Sequence, residues 1–189
     1  TGILGRVIVL ELLKRGKTVR ATKRKSSNLQ EVRKSFQFYT ETPNEYFDSI
    51  EWIEVDFEDI HSLQNALNGV EEVYHCAAKV SFHPKDEKEM YQTNIECTKQ
   101  LLFACQNSSV KKFLFVSSIA VLDGLNENGE LDESSDFNPK IDHSAYAISK
   151  HFSEMEVWRA SAEGLNTVIV NPGLIIGSGN WKESSGTLF

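Results

Sequence analysis

The feature that most constrains this chain is an alternation. Short, mostly apolar runs are separated by longer stretches with helical spacing. The runs are Thr18–Thr22, Ile50–Val55, Val73–Ala77, Phe113–Ser117 and Thr167–Val170. Between them, Gly5–Arg15 has apolar side chains at helical spacing and ends at Gly16. Ser26–Phe38 is polar and helix-like, and a helix opening at Asp59 or His61 runs to Leu67, closed by Asn68–Gly69. Asp86–Asn107 and Ser144–Glu163 predict two longer helices, with an irregular stretch around Pro43 and a polar loop over Asn126–His143. Strands that alternate with helices form parallel βαβ units with right-handed crossovers. Strands this apolar are covered by helices on both faces. The expected fold is α/β, a doubly wound parallel sheet of the Rossmann type.

Size and charge remove other classes. A chain of 189 residues is about one domain on a prior of ~150 residues per domain. With 40% hydrophobic and 25% charged residues it has the make-up of a globular protein with a sizeable core. No apolar run approaches the ~20 residues a membrane-spanning helix needs. The net charge of −7 disfavours a nucleic-acid partner, which asks for a basic face. Cys76, Cys97 and Cys105 are odd in number and too widely spaced for a metal knuckle. They read as free thiols in a reducing compartment, with Cys76 and Cys105 as small core residues, so no metal and a cytoplasmic location are expected. The text opens at Thr1, inside a turn, and reads as a piece of a longer protein. After Gly177 it changes to Gly, Ser and Asn around Trp181.

Three local patterns carry chemistry. Thr1-Gly2-Ile3-Leu4-Gly5 is a glycine-rich turn opening a helix, where a pyrophosphate can approach the backbone. Asp56 follows an apolar strand and stands at the carboxyl edge of the sheet, where such folds bind ligands, whereas Asp59 is a helix cap. Tyr146-Ala147-Ile148-Ser149-Lys150 sets a phenol and an ammonium four residues apart on one helix face. An ammonium beside a phenol lowers the phenol's pKa from ~10, which is what a neutral-pH acid/base needs. Ser118, 28 residues upstream (146 − 118), could hold a carbonyl oxygen beside that phenol. Taken singly, each pattern also fits a plain turn, a cap or a solvated helix face.

Taken in order, the motifs resemble the extended short-chain dehydrogenase/reductases of the NAD-dependent epimerase/dehydratase group, with a dihydroflavonol-4-reductase-like flavour. TGILG resembles the last two glycines of the family's T-G-x-x-G-x-x-G turn. VDFED, HCAA and TNIECT resemble its adenine-side aspartate, its turn after strand four and its N-x-x-G-T helix motif, with Cys97 in place of the glycine. FVSSIAV, YAISK and NPGLIIG resemble the remaining signatures, so the likeness spans nearly the whole chain. It implies Ser118, Tyr146 and Lys150 as catalytic residues, with Ser117 the neighbouring alternative to Ser118. Tyr146 would be the acid/base, Lys150 would lower its pKa and bind the nicotinamide ribose, and Ser118 would position the substrate oxygen. The dinucleotide would meet Gly2, Ile3, Leu4 and Gly5; Arg24 and Lys25; Asp56 and Phe57; Cys76, Ala77, Ala78 and Lys79. On the catalytic side it would also meet Asn94, Val116, Ser117, Tyr146, Lys150, Asn171, Pro172 and Gly173. Val80 and Ser81, with Lys79 and Phe82, would form the near wall of a substrate site shared with Ser118 and Tyr146. Asp132 and Glu133 resemble a D-E element for which turn capping is as good a reading as substrate contact.

The loop after the second family strand reads Thr22-Lys23-Arg24-Lys25, with no acid until Glu31. An acid there suits NAD and cations suit the 2′-phosphate of NADP, so NADP is preferred and NAD remains open. The expected activity is hydride transfer to a carbonyl or from an alcohol. The alternatives are a nucleotide-sugar epimerase/dehydratase holding NAD, and a non-catalytic nucleotide sensor on the same fold. The partners to expect are a small-molecule substrate and, as an option, a second copy of the chain. The domain reading is a dinucleotide-binding domain over 1–177 lacking its first strand, and the start of a substrate-binding region over 178–189. In the strand order 3-2-1-4-5-6 the lacking strand is central. These residues alone are therefore not expected to fold as a unit.

Overall fold

The computed structural model describes residues 1–178; the turn to Gly, Ser and Asn around Trp181 lies outside them. The chain falls into two compact units, one formed by Thr1–Ala66 with the segment that begins at Leu174, the other by Leu67–Gly173.

In the first unit, helix α1 (Ile3–Lys14) starts right after Gly2, two residues earlier than the apolar spacing predicts. It ends at Gly16, which takes the left-handed conformation (φ +73°) that glycine adopts without a steric cost. Strand β1 (Arg20–Lys23) pairs in parallel with β2 (Glu51–Glu54), in the register Arg20↔Glu51 to Lys23↔Glu54. Helix α2 (Leu29–Phe36) is capped by Asn28, whose side chain accepts from the Gln30 amide. The stretch around Pro43 is not irregular. It forms a helix, α3 (Pro43–Asp48), with proline in the first turn, where its missing N–H and fixed φ do no harm. The buried faces of α1, α2 and α3 meet in a core of Leu10, Ala21, Val32, Phe36, Phe47 and Ile50. Phe36 and Phe47 pack edge to face at 6.3 Å, and the Arg33 guanidinium lies 4.3 Å over Phe47 while pairing with Asp48. Helix α4 (Ile60–Leu67) opens on Asp59, whose carboxylate accepts the His61 amide at 2.9 Å, the cap expected of it.

In the second unit, β3 (Glu72–His75), β4 (Lys112–Val116) and β5 (Thr167–Val170) form a parallel sheet in the order β3-β4-β5. The register aligns His75 with Phe115 and Val116 with Val170. The pairings within the two sheets are those that the order 3-2-1-4-5-6 gives to strands two and three, and to strands four, five and six. The predicted helix over Asp86–Asn107 is present but not uniform. It runs from a 3₁₀ turn (Pro84–Asp86) into α5 (Glu87–Tyr91), then a π turn over Gln92–Glu96, then α6 (Cys97–Gln106). Helix α7 (Ala145–Ala162) is capped by Ser144, which accepts the Ala147 amide at 3.1 Å. Phe113, Phe115, Leu102, Cys105, Val157 and Ala160 fill the core between sheet and helices. The three cysteines carry free thiols; Cys105 is buried, and Cys76 is half-buried rather than a core residue. Among the described residues, no helix is long and apolar enough to cross a membrane.

His75, at the end of β3, is buried and stacks on Phe115 at 5.7 Å, with Nε2 2.9 Å from the Thr98 hydroxyl. Burial, helped by the nearby Lys150 charge, pushes its pKa down to about 3, so the folded protein keeps it neutral. The unfolded chain binds a proton near pH 6.5, and the folded one does not until about 3. Stability is therefore lost as pH falls through that window, by up to about 1.4 kcal/mol per pH unit from this group. Urea unfolding at pH 7.0 and pH 5.0 is expected to show this slope, and His75→Gln is expected to flatten it.

Candidate functional site

The chemistry-bearing side chains of the second unit gather where β4 ends and α7 begins. Strand β4 delivers Val116, Ser117 and Ser118 to its carboxyl end, and the Ser144 cap fixes where α7 starts. Tyr146 and Lys150 then share one helix face, as their spacing predicts. The Ser118 hydroxyl is close enough to Tyr146 to act on the phenol, pulling its pKa down against burial. Ser118 is extended (φ −162°) and its Oγ also accepts the Ala120 amide at 3.2 Å, which fixes the hydroxyl at the start of the short turn Ile119–Val121.

Lys150 is buried, at 1% exposure. Its Nζ donates to the Val116 carbonyl at 2.6 Å and sits 4.1 Å over the Phe115 ring. An ammonium in such a place is stabilised by the carbonyl dipole and the ring face. No carboxylate forms an ion pair with it among the described residues. Burial lowers its pKa to about 8, with Glu154 opposing the shift.

One expectation is corrected here. The Y-x-x-x-K spacing predicts a phenol whose pKa is lowered by the ammonium. Instead the Tyr146 pKa is raised, because burial outweighs the Ser118 hydrogen bond, and Lys150 is not among the groups that move it. The physical reason is burial, which disfavours the charged phenolate; the ammonium for its part donates to the Val116 carbonyl. The free protein therefore holds Tyr146 as a neutral phenol, a proton donor.

Asn94 connects this helix to the loop after β3. Its Oδ1 accepts the Lys79 amide at 2.7 Å, and its Nδ2 donates to the Lys79 carbonyl and to Ser149 Oγ, each at 2.9 Å. Ser149 in turn donates to the Tyr146 carbonyl at 2.7 Å. The predicted Asn94 is thus a clamp on both the Cys76–Ser81 loop and the residue next to Lys150. The Lys79 side chain points away to Glu89 (2.5 Å) and Asp86 (3.7 Å), and Ser81 donates to Asp86 at 2.7 Å, so this loop is braced against the start of α5. Val80 follows Lys79 in the braced loop and is half-buried, while Ala77 and Ala78 are exposed. Burial pushes the Cys76 thiol up to about 11, leaving it protonated. Asn171 Nδ2 donates to the Ser118 carbonyl at 3.2 Å and to Glu154 at 2.7 Å, holding the Asn171-Pro172-Gly173 turn against the catalytic candidates. Asp132 serves its own turn: it accepts from Asn126 and Ser134, and the Ser134 hydrogen bond lowers its carboxyl pKa.

In the first unit, the amide end of α1 carries no side-chain cap. The Arg6 guanidinium, which sequence reading missed, is buried and donates to the Thr1 carbonyl at 2.6 Å and the Gly2 carbonyl at 3.3 Å, bracing the glycine turn from behind. Arg24 and Lys25 follow β1, are exposed, and have no carboxylate partner among the described residues, whereas Lys23 is paired with Glu54. Asp56 accepts the Glu58 amide at 2.9 Å and Phe57 follows it in the same turn. Also missed was a stack on α7, in which Phe137 lies between His143 at 4.1 Å and His151 at 4.0 Å. None of these contacts has a local sequence signal.

Comparison with known proteins fits this geometry. The family model described as NAD dependent epimerase/dehydratase family matches residues 1–189. The sterol demethylase protein B of Methylococcus capsulatus is 30% identical over 97% of this chain and 52% of its own length. The dihydroflavonol 4-reductase of Arabidopsis thaliana is 28% identical over 94% of this chain and 48% of its own. The chain thus spans about half the length of the curated relatives it matches. Among solved structures, a UDP-N-acetylglucosamine 4-epimerase from Methanobrevibacter ruminantium in complex with UDP-N-acetylmuramic acid is 30% identical, with a TM-score of 0.70, over 90% of this chain and 51% of that one. These relatives are enzymes of the extended short-chain dehydrogenase/reductase type, and their Rossmann-type fold is the one expected from the sequence.

Asn94→Ala removes every side-chain bond of the clamp while leaving the Lys79 backbone groups in place. Each buried polar group left without a partner costs about 1–3 kcal/mol. Urea unfolding is expected to show a loss of at least about 2 kcal/mol, and Asn94→Asp is expected to lose no less, because its second oxygen faces the Lys79 carbonyl where Nδ2 donated.

Proposed function

The chain belongs to the NAD dependent epimerase/dehydratase family, and on that premise we propose that it transfers hydride between NADP(H) and a carbonyl or alcohol with Ser118, Tyr146 and Lys150. The observation that carries this reading is the buried Lys150 ammonium, held on the Val116 carbonyl and one turn from Tyr146, whose phenol Ser118 acts on. A lone lysine this buried is costly to keep charged, so a structural reading explains it poorly.

Each unit by itself holds residues that fit a part of a nicotinamide dinucleotide. Ser117 Oγ is buried just after β4, next to the Lys150 anchor, with no hydrogen-bond partner among the described residues. The glycine turn leaves the α1 amides open, suited to a pyrophosphate. Arg24 and Lys25, with no carboxylate partner among the described residues, suit a 2′-phosphate, which favours NADP over NAD. When bound, the nicotinamide supplies or accepts the hydride. Tyr146 Oη, neutral in the free protein, gives its proton to the substrate oxygen as the carbonyl becomes an alcohol. Ser118 Oγ donates a hydrogen bond to the same oxygen and so orients it. Lys150 Nζ stabilises the phenolate left behind once it turns from the Val116 carbonyl. A phenol held protonated suits the reducing direction, which supports a reductase. The loop Lys79–Ser81 walls the substrate side.

A second reading, a nucleotide-sugar epimerase or dehydratase with retained NAD, draws on the likeness to the UDP-N-acetylglucosamine 4-epimerase. The exposed Arg24 and Lys25 weigh against it, since a retained NAD has no 2′-phosphate for them to meet.

Two substitutions test this reading. Tyr146→Phe keeps the ring and removes the hydroxyl. In the full-length protein NADPH is expected still to bind, while turnover of aldehydes and ketones falls by about 10²–10⁴-fold. Near-normal turnover would remove Tyr146 from the chemistry. Arg24→Ala is expected to weaken NADPH binding by about 1.5–3 kcal/mol and to leave NADH binding nearly unchanged, as titration by cofactor fluorescence would show. Equal binding of NADH and NADPH by the unsubstituted protein would overturn the NADP assignment.

A further inference from the structure

The π turn over Gln92–Glu96 is the one such turn among the described residues, and it carries Asn94. A π turn widens the helix by one residue and interrupts the ordinary ladder of backbone hydrogen bonds, so it persists only where something outside the ladder holds it. The holder here comes from another helix. Ser153 of α7 is fully buried, and its Oγ lies 2.6 Å from the Asn94 carbonyl and 2.7 Å from the Ser149 carbonyl. One hydroxyl on α7 is thus shared between the wide turn and its own helix, within one turn of Lys150.

We propose that Ser153 is a positioning residue, which locks the π turn so that the Asn94 side chain reaches the Lys79 backbone and Ser149 together. The inference rests on the proposed dinucleotide role only for its effect on cofactor binding. The chain of contacts is continuous: Ser153 Oγ to the Asn94 carbonyl, Asn94 Oδ1 and Nδ2 to Lys79, and Asn94 Nδ2 to Ser149. Ser153 does not touch Lys79; the effect travels through the conformation of one turn. Without the hydroxyl, the Asn94 carbonyl loses its partner on α7, and a return to ordinary helical spacing would rotate the Asn94 side chain off the loop. A side chain that merely fills space at position 153 would leave the Lys79 amide untouched.

The test is hydrogen exchange on the full-length protein, comparing the unsubstituted form, Ser153→Ala, Asn94→Ala and the double variant, with NADPH dissociation constants measured in parallel. Ser153→Ala is expected to speed exchange of the Lys79 amide by about tenfold, the change one lost hydrogen bond makes to a local opening equilibrium. Exchange in β4 should not change, and the double variant should match Asn94→Ala rather than exceed it. Ser153→Cys, which keeps the volume and a weak donor, is expected to show a smaller acceleration, and it serves if the alanine variant does not fold. Unsubstituted protection of the Lys79 amide in either variant, or additive effects in the double variant, overturns the proposal. NADPH affinity is expected to fall by similar factors in Ser153→Ala and Asn94→Ala. If the unsubstituted protein does not bind NADPH while the Lys79 amide responds as described, the positioning role stands and the dinucleotide reading falls.

Discussion

The second unit is organised around one buried cation. Lys150 Nζ is bonded to the last carbonyl of β4 and lies on the face of Phe115, a core residue of the same strand. An ammonium is costly to bury, and its position is therefore tightly specified by what compensates it. That ties α7 to the carboxyl end of β4 at one point. It brings Tyr146, one turn earlier on α7, within reach of Ser118, two residues beyond Val116. The helix and the strand end are thus set in register by the same contact that holds the charge.

A second set of contacts brings the loop after β3 to that point. Asn94 uses both ends of its amide on the Lys79 backbone and still reaches Ser149. Asn171 does the same for the turn after β5, joining the Ser118 carbonyl to Glu154. Each strand of the sheet β3-β4-β5 therefore contributes a segment beyond its carboxyl end, and each segment is held by a side-chain amide or ammonium. Ligands of open parallel sheets bind at that edge, and the fold supplies the parts there before any ligand arrives.

Much of this was legible in the sequence because it is local. Strand β5 lies where the apolar run Thr167–Val170 predicts it, and α7 begins one residue after Ser144, a cap with a recognisable signature. The Tyr146–Lys150 spacing is a property of any helix. What was not legible depends on partners distant in sequence. The π turn is held by Ser153, 59 residues from Asn94, and no helical periodicity encodes it. The direction of the Tyr146 pKa turns on its burial, which a four-residue spacing does not encode. Helix α3 was not legible because the stretch around Pro43 reads as irregular, although proline at the first helical position is compatible with a helix. Arg6 follows a glycine turn as an ordinary polar residue would, and only burial against the Thr1 and Gly2 carbonyls reveals its bracing role.

Lys150 is a buried ammonium, and the proposed function puts the nicotinamide end of the cofactor beside it. Its titration measures this directly. With lysine side chains labelled at Cε and the Lys150 signal assigned through Lys150→Arg, a pH series by NMR on the full-length protein is expected to place its pKa at about 8. Saturation with NADPH is expected to shift that signal and its pKa, while the exposed lysines other than Lys25 stay where they were. A Lys150 that titrates near the ordinary 10.5 and is indifferent to NADPH would contradict the account.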